Sequence, residues 1–518
     1  MQLRMWMVDI AREQSPTLDR LYEMAALSLD SGYNALGLYL EHRFAYPSTP
    51  WTHGDGCVTP DMIRSLQSEF PSLEIVPFIN LLGHFEGFIY TEHGKQYREE
   101  LFSGLQACPA NPDFVRLAEQ IIDDTLSIFD SHLIHIGGDE TAQLGASPAS
   151  AARIEQLKAE RPGVEDGKAL LYGAHFGPLA ERVSRAGRRP GVWGDMYLEH
   201  PLALDAMPKE TLIFDWQYFN GLKQSSPKFV ERGFEVVGSP AIQTYNASWM
   251  HVVPSETNVR EVAADVQEMG LHGVCVTTWE CGLMGSYDTL FPALKACGDI
   301  LNEERIERIT DGASFFAAYD SVSPESGRWA RLMSDGLANC GGTFTPSKIR
   351  SSLKVRLLLN ANPFLAWMHH ADELCGEVGD QALRVCEEAL LTAPGEAEQG
   401  VTVFVRSAIE FVRMAEMARK EYAAGRTEAA VAKLTASRTV FDELSRVARR
   451  THARVGGSLA DIERCRVAKE HIERVMKQIR QYGDGSLGYL PAFEIITHPK
   501  FMPHDQACWW LINKWANQ

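Results

Sequence analysis

Residues 1 to about 305 repeat one unit: a short apolar run, then a longer stretch with helical period. The runs are MWMVDI (5–10), NALGLYL (34–40), LEIVPFI (73–79), HLIHIG (132–137), PGVWG (190–194), LIFDW (212–216), EVVGSP (235–240) and GVCVTTW (273–279). They lack polar alternation, which suits strands buried on both faces. Between them lie helical patterns such as LDRLYEMAALSLDSG (18–32), PDFVRLAEQIIDDTLSIF (112–129) and NVREVAADVQEMG (258–270). Eight β-then-α units over about 300 residues predict an α/β fold of the TIM (β/α)8 type. A doubly wound open sheet uses the same alternation and is the competing architecture. The count of eight favours the closed barrel.

Beyond residue 305 the strand signal stops. Segments 346–393, 398–424, 427–450 and 458–481 place apolar residues three and four apart, predicting an α-helical C-terminal domain over 306–518. Trp509, Trp510 and Trp515 in the tail read as packing residues, far in sequence from the barrel. The charge of −18 argues against nucleic acid or an anionic membrane as partner. Arg4, Asp9 and Arg12 break the N-terminal apolar stretch, so it reads as a strand and not as a secretory signal. No apolar run approaches the roughly 18 residues of a membrane span. The ten cysteines show neither CxxC nor zinc spacing. A cytoplasmic protein with reduced thiols is the expectation.

Barrel enzymes carry their chemistry at the C-terminal ends of the strands. Reading those ends in order gives Asp9 and Arg12, Glu41-His42-Arg43, Gly83-His84, Gly137-Gly138-Asp139-Glu140, Trp193-Gly194-Asp195, Asp215-Trp216-Gln217-Tyr218, Tyr245-Asn246 and Trp279-Glu280. One Trp there would be read as core filling. Three beside carboxylates suit a sugar, whose C–H faces pack on indole and whose hydroxyls need paired donors and acceptors. Asp139 and Glu140 are adjacent, and adjacent residues do not readily flank a glycosidic bond as acid and nucleophile. A division of labour fits better: one protonates the leaving oxygen and the other orients a substrate group that is itself the nucleophile.

The stretch HIGGDE (135–140) resembles the signature of glycoside hydrolase family 20, the β-N-acetylhexosaminidases. MVDIAR, LLGHF, VWGDM, DWQYF, TYNAS and TTWE follow the order of that family's strand-end motifs. LYLEHRFAY is similar to the branch whose chains begin directly at the barrel. The resemblance covers residues 1 to about 300. It implies an exo-acting retaining enzyme that releases terminal β-linked GlcNAc or GalNAc through an oxazolinium intermediate. No metal or cofactor is called for, and the partner is an N-acetylhexosamine-containing glycan. Glu140 would be the general acid and Asp139 would hold the acetamido N–H. Tyr245 would hold the acetamido carbonyl, and Trp193, Trp216 and Trp279 would wall the pocket. Arg12 and Glu280 would hold sugar hydroxyls, with His84 and His135 tying loops and carboxylates together. The scheme requires a protonated Glu140 beside an ionised Asp139, and a dry aromatic pocket with a neighbouring carboxylate favours the neutral acid.

Two departures bear on substrate preference: Glu280 follows Trp279 directly, and Tyr245-Asn246-Ala247 replaces Tyr-x-Asp. Rival readings are a metal-dependent barrel hydrolase using His84, His135, Asp139 and Glu140, a non-catalytic glycan-binding barrel, and a structural protein working through its helical half. That half can equally serve a homodimer or cover the barrel mouth.

Overall fold

The computed structural model describes residues 1–11, 16–54, 56–100, 104–244, 249–279, 287–340, 357–455 and 460–482. The strands are β1 (Leu3–Asp9), β2 (Ala35–Tyr39), β3 (Glu74–Phe78), β4 (Leu133–His135), β5 (Arg189–Trp193), β6 (Leu212–Trp216), β7 (Glu235–Ser239), β8 (Ala241–Ile242) and β9 (Gly273–Thr278). All pair in parallel, and β1 closes on β9 through Leu3↔Gly273 to Val8↔Thr278. Val237↔Gly273 and Ala241↔Thr277 keep one register, so β7 and β8 are a single stave broken at Pro240. The Pro240 carbonyl still accepts the Thr277 N–H at 2.9 Å. The result is a closed eight-stave TIM barrel with helices around it, as the repeat predicts.

Local chemistry explains the helices. In Pro112–Ile128, Asn111 caps the first turn by accepting the Asp113 and Phe114 N–H groups, and Pro112 takes the position that needs no donor. Phe114, Leu117, Ala118, Ile121, Ile122, Thr125 and Ile128 form its buried face. Each large apolar side chain buried there contributes roughly 1.5–3 kcal/mol. Ile121→Asp would place an unpaired charge in that seam and break it.

Aromatic rings fill the barrel interior. Phe78 stacks on His135 with centroids 4.3 Å apart, His135 lies 4.5 Å from Trp193, and Phe214 meets Phe78 edge-on at 5.6 Å. Gly37 on β2 leaves the room: a Cβ there would come within 2.7 Å of the Phe78 ring.

The chain divides into two compact units. The barrel unit comprises 1–242, 256–279 and 294–310, and the second comprises 243–255, 280–293 and 311–518. The described part of the second unit is helical, with long helices Glu396–Ala423, Thr427–Val455 and Ala460–Tyr482. Gly425 turns the chain between the first two in the left-handed region (φ 75°). Trp249 meets Trp329 edge-on at 4.6 Å, and the Trp329 indole donates to Thr402 Oγ1 at 2.9 Å. Among the described residues no helix is long and apolar enough to cross a membrane. Trp509, Trp510 and Trp515 lie outside the described residues.

Candidate active site

Three consecutive strands end in strained backbone. Glu41 after β2, His84 after β3 and Glu140 after β4 have φ of 40°, 49° and 51°. Among the described residues no other non-glycine has positive φ. Such backbone costs on the order of 1–3 kcal/mol and persists only where its surroundings enforce it, commonly at functional sites.

The turn after β4 shows how it is enforced. Gly137 and Gly138 have φ of 78° and 107°, which disfavour any side chain. A Cβ on Gly138 would lie 2.5 Å from the Tyr172 hydroxyl, which donates to the Gly138 carbonyl. The Gly137 N–H donates to His135 Nδ1 at 3.1 Å, and the Glu140 N–H donates to Asp195 Oδ2 at 2.9 Å.

This turn brings two carboxylates to one imidazole. His84 Nε2 lies 3.3 Å from Asp139 Oδ2 and 3.3 Å from Glu140 Oε2. All three side chains are almost wholly buried. Glu41 is buried nearby: its carboxylate, a ring nitrogen of His84 and the Glu86 carboxylate lie within 4.8 Å of one another.

An aromatic chain continues from the turn. Asp195 Oδ1 accepts the Trp216 indole N–H at 3.2 Å, and the Trp216 ring lies 5.0 Å from Tyr218. The Tyr218 hydroxyl accepts the Trp279 indole N–H at 2.6 Å. Trp279 meets Tyr39 edge-on at 4.7 Å, and the Tyr39 hydroxyl accepts from Asn80 Nδ2 at 2.7 Å. Each indole N–H named in this chain thus has a partner, as buried donors require.

Burial sets the electrostatics. Asp195 is pushed up to about 7, first by burial and then by the charge of Asp139; the Glu140 N–H and the Trp216 indole partly offset this. Burial lifts Asp215 too, against donation from Ser225, Ser226 and Gln217. His135 is held well below 6.5 by burial alone, so it is neutral at ordinary pH.

The predicted residues therefore fall into distinct places. His84, Asp139 and Glu140 converge. Trp216 joins them through Asp195, and Trp279 joins Trp216 through Tyr218. His135 and Trp193 occupy the floor beneath: His135 bonds the turn through Gly137, and Trp193 is 1% exposed. Arg12, Tyr245 and Glu280 lie outside the described residues. The rival metal set of His84, His135, Asp139 and Glu140 is not gathered among the described residues; His135 stacks on Phe78 and lies tilted against Trp193. The described groups that could share a cation are Glu41, His84 and Glu86. Asp195, Tyr218, Tyr39 and Asn80 received no role from the sequence. Their one sequence signal was position, at or just after a strand end.

A parallel barrel with an acid pair, an imidazole and linked indoles at its strand ends has the build of the barrel glycosidases. The comparison with protein families makes this specific. Residues 85–270 match the model of the catalytic domain of glycosyl hydrolase family 20. A β-hexosaminidase from Vibrio furnissii is 26% identical over 219 residues, which cover 40% of this chain and 33% of that protein. The chain thus spans about a third of the length of that curated relative. Among solved structures, an exo-β-N-acetylglucosaminidase from Vibrio harveyi is 19% identical, with 62% of this chain and 57% of that one covered and a TM-score of 0.48. A chitobiase from Flavobacterium johnsoniae is 15% identical, with 91% and 78% covered and a TM-score of 0.49.

Proposed function

We propose that the protein is an exo-acting retaining β-N-acetylhexosaminidase whose nucleophile is the substrate's own acetamido oxygen. The observation that carries this is the meeting of Asp139 and Glu140 at one atom, His84 Nε2, 3.3 Å from each. We read two chain-adjacent carboxylates that converge on one imidazole nitrogen as working from one side of the bound sugar. The second group needed to displace the aglycone then comes from the substrate.

In this reading the acetamido oxygen bonds to the anomeric carbon as the glycosidic bond breaks. Glu140 gives its proton to the departing oxygen. Asp139 accepts the acetamido N–H and stabilises the positive charge that develops on the ring so formed. Glu140 then takes a proton from water as water opens that ring, so the product keeps the β configuration. Trp216 and Trp279 offer flat apolar faces to the sugar. The substrate class is an N-acetylhexosamine-containing glycan. We also infer a reducing, cytoplasmic setting; its support is that the eight described cysteines are all unpaired.

The test is hydrolysis of 4-nitrophenyl β-N-acetylglucosaminide and its galacto epimer, with chelator present, by wild type and Glu140→Gln. Wild-type release is expected, with kcat down by ~10²–10⁴ in the variant, the usual worth of a general acid. If these substrates and longer acetamido-glycans all stay intact, catalysis is rejected in favour of glycan binding.

A further inference from the structure

We infer that Asp195 is the positioning residue of the catalytic acid: its two carboxylate oxygens hold the Glu140 backbone and the Trp216 indole in one fixed relation. The inference rests on the reading of Glu140 as the acid and adds a residue to which the reading gave no part.

Asp195 opens the short helix Asp195–Glu199, one residue beyond β5, and is half-buried. Its oxygens serve different donors: Oδ2 takes the Glu140 N–H at 2.9 Å, and Oδ1 takes the Trp216 indole N–H at 3.2 Å. The first bond falls on the residue whose backbone is left-handed (φ 51°). Left-handed backbone at a glutamate needs an external hold, and this N–H is one of the few handles the turn offers. The second bond ties the same carboxylate to an indole at the end of β6. One side chain therefore fixes the angle between the acid and an aromatic face.

The chemistry demands a carboxylate. Both neighbours are N–H donors, so both oxygens must accept. An amide of the same shape has one oxygen and one NH2 and must turn a donor toward Glu140 or toward Trp216. The position also runs against electrostatics, because Asp139 and Glu140 crowd it with like charge and burial disfavours ionisation. A residue serving only to fill space there would be better uncharged.

The experiment compares wild type, Asp195→Asn, Trp216→Phe and the double variant. Two β-N-acetylglucosaminides are used, one with a 2,4-dinitrophenyl leaving group and one with an alkyl leaving group. A displaced Glu140 impairs protonation, which the alkyl substrate needs and the dinitrophenyl substrate hardly does. Asp195→Asn is expected to lower kcat about 10²-fold on the alkyl substrate and at least about tenfold less on the other. In the double variant only one donor remains, so the amide oxygen can serve Glu140. The alkyl-to-dinitrophenyl ratio should then return toward that of Trp216→Phe alone. Amide exchange across 137–141 is followed in the same proteins and should quicken in Asp195→Asn. That arm separates the two failures: a wild type that cleaves no acetamido-glycoside sinks the proposed function and with it the part of Glu140 as acid, whereas cleavage with unchanged exchange in Asp195→Asn counts against Asp195 alone. Should Asp195→Asn not fold, Asp195→Ser replaces it. Equal losses on both substrates, no recovery in the double variant and unchanged exchange at 137–141 would overturn the inference.

Discussion

Replacing His135 with Phe would remove one titratable group from the barrel floor while keeping an aromatic ring between Phe78 and Trp193. Its Nδ1 accepts the buried Gly137 N–H at 3.1 Å. Losing that acceptor strands a buried donor and costs about 1–3 kcal/mol. The same change removes the buried Nε2–H, which has no partner among the described residues, so His135→Phe should be less stable than wild type at pH 7.5 by only the lower end of that range, about 1 kcal/mol. Acid reverses the order. The folded-state pKa of His135 is depressed well below 6.5 by burial. Its contribution is thus present above 6.5 and lost as pH falls toward the folded value, because the unfolded chain takes up a proton that the folded chain refuses. The loss is about 1.4 kcal/mol per pH unit. The gap should close within about one unit below 6.5 and then invert. Urea denaturation followed by tryptophan fluorescence from pH 8 to pH 4.5 measures this directly. A stability difference that stays constant with pH would refute the reasoning, since it would mean that His135 titrates alike in both states.

Gly138→Ala forces a side chain into backbone at φ 107° and to within 2.5 Å of the Tyr172 hydroxyl; a loss of roughly 1–3 kcal/mol and of most activity is expected by thermal melt and glycosidase assay. Trp279→Phe removes the indole N–H held by the Tyr218 hydroxyl at 2.6 Å, so KM for the aryl substrate should rise about fivefold to tenfold with kcat changed less. EDTA should leave kcat/KM unchanged; a fall restored by a divalent cation would instead assign metal to Glu41, His84 and Glu86.

The barrel was legible in the sequence because staves buried on both faces must be continuously apolar, and each observed stave falls within or beside its predicted run. Pro240 blurred only the seventh, which continues as Ala241–Ile242 on the same register. The acid pair was legible because adjacent carboxylates after Gly-Gly have few structural uses. The supporting groups were less so. Asp195 stands two residues after Trp193, and the sequence does not show that its oxygens reach back to the Glu140 N–H, a contact set by the stagger of β4 and β5. Glu41 stood at a strand end without a role, because left-handed backbone that turns a charged residue inward has no signature in a single chain. The resemblance makes Trp193 a pocket wall and His135 a tie between loops and carboxylates. Their depth in the floor depends on Gly37, whose missing side chain lets Phe78 in.

The most direct test of the central claim varies the nucleophile itself. Rates on 4-nitrophenyl glycosides carrying N-acetyl, N-fluoroacetyl, N-difluoroacetyl and N-trifluoroacetyl groups would be compared under kcat/KM conditions. Fluorine weakens the acetamido oxygen without altering either carboxylate. If that oxygen attacks the anomeric carbon, kcat/KM should fall steeply at each added fluorine. A flat series would mean that a protein group is the nucleophile, and the shared position of Asp139 and Glu140 at His84 would then need another explanation.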